Sequence, residues 1–178
     1  MADSGITKAA LAKAFKALME EMPFSKITIG HICEKCGMNR KSFYYHFKDK
    51  YDLVNRIFYT DFIVRSKEIQ YTDGYDFLLD LCTYLRDNKS FYRKVLKYDG
   101  QNSFMEYFKD FLTPYIEIYV NQVFKNSESI TFYTEFFTDA VTVAVKKWII
   151  EKESTSAEEF VPLIHSCFSE TIERKTDL

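Results

Sequence analysis

Gly37 separates two stretches that each read as a short helix, so the segment from residue 28 to residue 53 must turn a tight corner there. Thr28 opens the first stretch as an N-cap, its hydroxyl accepting one of the unpaired amide protons, and Ile29, Ile32, Cys33 and Cys36 then share one apolar face. Glycine takes the positive φ of a helix-ending turn without a Cβ penalty, and Asn39 is placed to cap the next helix. In that second helix Phe43 and Phe47 lie four apart and point inward, which leaves Arg40, Lys41, Ser42, Tyr44, Tyr45 and His46 for the outer surface. A third helix starts at once, with Asp49 as N-cap, Lys50 in its first turn and Asp52 at the third position, where a negative charge suits the helix dipole.

Upstream, residues 7–22 place Leu11, Phe15, Leu18 and Met22 on a single stripe, and Pro23 ends that helix. The stripe closes a three-helix module over the corner, with Phe24 to Ile27 pinning the connection. Lys8, Lys13 and Lys16 fall off the stripe, as either phosphate contacts or a solvated face. The chain as a whole carries a net charge of −2, which by itself suggests no nucleic acid. Division of the chain changes that: residues 1–56 hold 10 Lys and Arg against 6 Asp and Glu, while residues 57–178 hold 14 against 20. A basic, hydroxylic and aromatic helix face on the positive end points to a polyanion, and a helix presented at a glycine corner points to the major groove of double-stranded DNA. Arg40 is placed for guanine O6 and N7, Lys41 and Ser42 for nearby bases or phosphates, and Thr28, Tyr44, Tyr45, His46 and Lys50 for phosphate oxygens.

The string Gly-Met-Asn-Arg-Lys-Ser-Phe-Tyr-Tyr-His-Phe-Lys-Asp-Lys-Tyr-Asp-Leu at 37–53 resembles the N-terminal signature of the TetR/AcrR family of bacterial transcription regulators. Phe24 to Ile29 fits the same family's lead-in, and the stretch from Phe136 through Trp148 to Glu159 is similar to its penultimate helix and following loop. The resemblance implies that Arg40, Lys41, Ser42, Tyr44, His46 and Lys50 meet the DNA. Gly30 is a departure, standing where some members carry a base-contacting arginine, so the operator cannot be borrowed from them.

Five glycines and three prolines leave little turn chemistry, so the expected fold is all-α, about nine helices in total. Its expected parts are a helix-turn-helix DNA-binding domain at 1–50 and a larger helical effector-binding and dimerisation domain at 51–178. One long helix is expected from Asp49 to about Tyr71. Others are expected from an Asp73 cap, over 91–96, over 103–123 with a kink near Phe111 because of Pro114, over 129–151 and over 156–174, with an Asp99-Gly100 turn between. The helix at 129–151 is apolar on more than one face and the last one has a wide stripe that includes Ile172, so both need a second partner. An isologous dimer through a four-helix bundle supplies it, with Phe136, Ala140, Val141, Ala144, Trp148, Leu163, Cys167 and Phe168 at the interface. Two recognition helices then read a pseudo-palindrome.

Thirty Phe and Tyr residues exceed what a helical core needs, and Phe62, Tyr84, Phe104, Phe108, Tyr115 and Phe137 are expected to line an apolar cavity. The resemblance implies a repressor that a small apolar or aromatic effector releases from its operator; control by a protein partner is the competing reading. A helical enzyme is the remote one, because His31, His46 and His165 fall on different elements without a phosphate loop or nucleophile elbow. Cys33 and Cys36 next to His31 lack the second ligand pair that zinc needs, so packing is expected and no cofactor. No apolar run approaches the roughly 20 residues that span a bilayer, and residues 1–10 lack a signal-peptide core, so the expected location is the cytoplasm.

Overall fold

In the computed structural model, which describes residues 2–97, 103–124, 128–152 and 155–176 and side chains between 4 and 168, every regular element is helical. The Asp99-Gly100 turn and the side chain of Ile172 lie outside the described residues. The chain forms two compact units, residues 1–67 with 90–104 and residues 68–89 with 105–178. No helix among the described residues is long and apolar enough to cross a membrane.

In the first unit, α1 (Ala2–Glu21) buries Leu11, Phe15, Leu18 and Met19. Pro23 ends it, and the turn Phe24–Lys26 drives Phe24 inward, edge-on to Phe15 at 6.2 Å between ring centroids. Then α2 (Ile29–Lys35) opens on a reciprocal cap: the Thr28 hydroxyl accepts the His31 amide proton at 3.2 Å, and His31 Nδ1 accepts that of Thr28 at 3.4 Å. Histidine thus takes the place that Glu or Gln holds in the usual capping box. Gly37 closes the helix at φ 68°, with the Met38 amide donating to the Cys33 carbonyl at 2.8 Å. Asn39 starts α3 (Arg40–His46) by accepting the Ser42 amide at 2.8 Å. Asp49 starts α4 (Lys50–Phe58) by accepting the amides of Tyr51 and Asp52 at 2.8 and 2.9 Å.

The single helix expected to reach Tyr71 is shorter and not uniform. After Phe58 it widens into a π turn (Tyr59–Ile63), resumes as α5 (Val64–Ser66) and stops. Thr60 donates its hydroxyl to the Arg56 carbonyl at 2.8 Å and competes with the backbone there. The widened register keeps Phe58 and Phe62 stacked at 5.5 Å, both fully buried. Lys67 to Gln70 are all exposed, so nothing apolar holds further turns. The first unit also takes in α7 (Lys89–Val95) from Ser90 onward and extends to Phe104, past the boundary expected after residue 50. The cause is aromatic: Phe91 meets Phe15 at 6.0 Å, while the fully buried Tyr92 meets Phe58 at 6.3 Å and Phe104 at 5.0 Å. Lys94 adds a hydrogen bond from its ammonium to the Met19 carbonyl.

The second unit contains α6 (Gly74–Asp87), α8 (Phe104–Val123) from Met105 onward, α9 (Ile130–Ile150) and α10 (Ala157–Thr176). Asp73 caps α6 by accepting the Asp76 amide at 3.0 Å, and α8 stays helical through Pro114. Ser156 and Glu159 form a capping box at α10, with reciprocal bonds of 3.0 and 3.2 Å. α6 packs against both α9 and α10. Leu81, Cys82, Leu112, Val145, Ile149 and Val161 fill the core.

Candidate nucleic-acid interface

α3 has one face in the core and one in water. Phe43 and Phe47 are buried, 5.6 Å apart between centroids, which fixes the helix roll. Arg40, Lys41, Tyr44 and Tyr45 therefore face outward, and Ser42 and His46 are half-buried beside them. Tyr45 is 82% exposed and Tyr44 58%, which leaves two large phenols in solvent on a helix of seven residues. A bulky aromatic ring held outward costs apolar surface in water unless a partner covers it. Thr28 is exposed as well, and a hydroxyl that accepts one bond still carries its proton for an outside acceptor.

Arg40 does not extend straight from α3. Its guanidinium lies over Gly30, so that a Cβ there would sit 2.9 Å from one guanidinium nitrogen and 3.5 Å from the Thr28 hydroxyl oxygen. Burial and the neighbouring Cys36 push the Cys33 thiol up, and the Arg40 charge works against that rise. Two of the sequence-predicted contacts, Thr28 and Arg40, are thus brought together at Gly30.

Lys50 has a structural task that the sequence did not disclose. Its ammonium donates to the carbonyls of Phe24 at 2.8 Å and Ile27 at 3.0 Å, and lies 4.4 Å from the centre of the Phe24 ring. Two of its three protons hold the lead-in of α2, where the sequence had assigned the whole side chain to phosphate. Desolvation lowers its pKa. The charge division is sharper by unit than by sequence halves: the first unit holds 15 Lys and Arg against 8 Asp and Glu, and the second 9 against 18. No group of three metal-ligating side chains occurs among the described residues.

In the second unit a cavity of about 420 Å³ is lined by Tyr75, Phe77, Tyr115, Tyr119, Gln122 and His165, among others. Phe77 stacks on Tyr115 at 4.2 Å, and Tyr75 meets His165 edge-on at 5.4 Å. Burial pushes the phenols of Tyr115 and Tyr119 up. Of the six residues expected to line a pocket, only Tyr115 lines this one. Phe62 and Phe104 are core of the first unit, Phe108 is buried in the second, Tyr84 is half-buried outside the lining, and the half-buried Phe137 sits behind it, its ring 4.9 Å from that of the lining Phe168. Aromatic spacing marks an inward face; it does not say which inward faces leave a gap between them.

The expected dimer residues also divide. Val141, Trp148 and Phe168 are buried within the unit, with Trp148 stacked on Phe160 at 4.6 Å and donating its indole proton to the Thr155 carbonyl at 3.0 Å. Phe136, Ala140, Leu163 and Cys167 are exposed and Ala144 is half-buried. Phe132 and Val143, also exposed, extend the first two into one stripe along α9 at intervals of four, four and three.

Residues 6–57 match the family model described as bacterial regulatory proteins, tetR family, and residues 73–169 match the one described as transcriptional regulator C-terminal region. The chain is 33% identical over 100 residues to the HTH-type dhaKLM operon transcriptional activator DhaS of Lactococcus lactis subsp. lactis (strain IL1403), a match covering 56% of this chain and 54% of the activator, about half its length. It is 25% identical over 167 residues to the HTH-type transcriptional regulator SAR2658 of Staphylococcus aureus (strain MRSA252), covering 88% of this chain and 89% of that protein. Among solved structures, a TetR transcriptional regulator from Streptococcus agalactiae 2603V shares the fold at TM-score 0.73 and 19% identity, over 93% of this chain and 95% of that one. The dihydroxyacetone kinase operon activator DhaS does so at TM-score 0.65 and 24% identity, over 94% and 97%. The matched families are those of regulators, not of enzymes.

Proposed function

We propose, starting from the fact that this chain belongs to the tetR family of bacterial regulatory proteins, that two copies of it place their α3 helices in successive major grooves of a pseudo-palindromic operator. The observation that carries this reading is the outward face of α3, with Arg40, Lys41, Tyr44 and Tyr45 in solvent over a buried Phe43 and Phe47. Arg40 acts on a base edge, Lys41 and Ser42 on bases or phosphates, and Thr28, Tyr44, Tyr45 and His46 on phosphate oxygens. The copies pair through the exposed stripe on α9 and the exposed residues of α10, and the recognition helices stand about 34–36 Å apart, one turn of DNA. A small aromatic effector in the cavity of the second unit lowers operator affinity by binding the two conformations of the dimer unequally. In that form the protein is a repressor. The second reading, an activator, is favoured by the similarity, at 33% identity, to the dhaKLM operon transcriptional activator DhaS.

Selection from a random duplex library with the full chain, followed by anisotropy titration over a range of salt, tests the first claim. The expected result is a two-fold symmetric site with strong salt dependence. Enrichment of no sequence overturns it. A reporter placed under the selected site then separates the signs, since a repressor lowers its output and an activator raises it.

A further inference from the structure

We propose that Gly30 is a positioning residue for Arg40: by lacking a side chain it lets the guanidinium lie down over the first turn of α2 beside Thr28, and so sets which base pair that arginine reads. The inference deepens the DNA-binding reading of α3 and rests on it.

A glycine in the first turn of a helix gives up more conformational freedom than alanine would, so its presence needs a reason. The backbone supplies none at this position, because the positive φ among the described glycines belongs to Gly37. What a Cβ at residue 30 meets is a guanidinium nitrogen of Arg40 at 2.9 Å, closer than a real Cβ contact tolerates. The obstructing atom is the far end of a flexible side chain, so the fold survives a substitution while the guanidinium moves. The backbone of Arg40 stays in place, because α3 is held by the Asn39 cap and by the buried Phe43. The same placement brings the Arg40 charge near enough to Cys33 on α2 to work against the rise of its thiol. An arginine that reads guanine through two parallel bonds discriminates only where its fork meets O6 and N7 together, so a small displacement of the guanidinium changes base preference before it changes general affinity.

Full-length wild type, Gly30→Ala, Gly30→Ser, Arg40→Ala and the double variant Gly30→Ala with Arg40→Ala are each taken through random-duplex selection. Each is then titrated on the wild-type site and on its single-base variants, with thermal melts alongside. Arg40→Ala is expected to lose roughly 5- to 150-fold on the wild-type site and to flatten preference at one base pair. Gly30→Ala and Gly30→Ser are expected to melt no lower than wild type yet to lose preference at that same base pair. The double variant is expected to bind within about twofold of Arg40→Ala alone, the signature of two residues acting as one. The inference is overturned if either glycine variant keeps the wild-type base preference, or if the double variant loses the product of the single losses. Should the glycine variants melt lower, the base preference of the folded fraction decides in the same way, since loss of folded protein weakens all sites alike. A wild-type chain that enriches no sequence sinks the regulator reading and this inference with it, whereas a clear wild-type motif unchanged by Gly30→Ala sinks this inference alone.

Discussion

Lys50 joins three pieces of the first unit through one charged group, since it starts α4, caps the carbonyls of Phe24 and Ile27 and lies over the Phe24 ring. Methionine at that position keeps the stem and removes the donors, leaving the Ile27 and Phe24 carbonyls without this ammonium, although the Phe24 carbonyl keeps the Ile27 amide. Lys50→Met is expected to lower stability by about 1.5 to 3 kcal/mol, read as a fall in the urea midpoint. If its role is wholly structural, operator affinity falls for every sequence while the slope of log K against log salt stays as in wild type. A slope smaller by about 0.9 per protomer would show that the third proton does reach a phosphate. Cys82 gives a second test at this scale. Burial pushes its thiol up to about 12 from the ordinary 9.0. In the unfolded chain the thiol ionises near the ordinary value, so above it the folded state keeps a proton that the unfolded state has lost. Stability must then fall as pH rises through that window, by about 1.4 kcal/mol per unit from this group, and be independent of it below. Comparing urea midpoints of wild type and Cys82→Ala across that range should show the smaller alkaline loss in the variant; parallel curves would contradict the burial argument. Alkylation at mildly alkaline pH should leave the buried Cys82 unmodified until urea unfolds the chain.

At the scale of elements, the corner between α2 and α3 depends on a backbone state that only glycine takes freely. Gly37→Ala should cost about 1–2 kcal/mol even though a Cβ there meets nothing within 4 Å, and thermal melts measure it. A variant as stable as wild type would mean that the turn re-forms with negative φ. This corner was legible in the sequence because its determinants are local: a threonine cap, a glycine stop, an asparagine cap and phenylalanines four apart all lie within one stretch of chain. The caps of α4 and α6 were legible for the same reason. The π turn at Tyr59–Ile63 was not, because it depends on where Phe58, on which Phe62 stacks, finds its partners, and those come from residues 92 and 104, far along the chain. The fold of Arg40 over Gly30 was hidden similarly, although the sequence had marked Gly30 as unusual. The aromatic cavity was read least well. The composition signalled an excess of rings, yet only the packing of α6, α8 and α10 decides that Tyr75, Phe77 and His165 meet a gap while Phe108 fills core.

For the whole molecule, the question is which apolar surface is already used by the chain and which awaits a second copy. The sequence pooled the two, because α9 is apolar on two sides and periodicity alone does not say which side faces home. Burial separates them: Trp148 is stacked on Phe160 and hydrogen-bonded to Thr155, whereas Phe136 and Leu163 are 55% and 62% exposed. Substitutions on the two sides should therefore fail differently. Trp148→Ala removes a buried ring and should cost about 3–5 kcal/mol of stability whatever the protein concentration. Phe136→Glu combined with Leu163→Glu places charges on surface that the single chain leaves in water, so the folded unit should persist, as far-UV circular dichroism would show. Sedimentation equilibrium should find it monomeric, because a desolvated glutamate facing its symmetry mate is repelled and has no cation to pair with. Operator binding should then weaken steeply, since one recognition helix alone grips half a site, while the base preference within that half-site stays as in wild type. A double-glutamate chain that remains dimeric would place the interface elsewhere, and a chain that loses half-site preference along with affinity would show that the α3 surface itself depends on pairing.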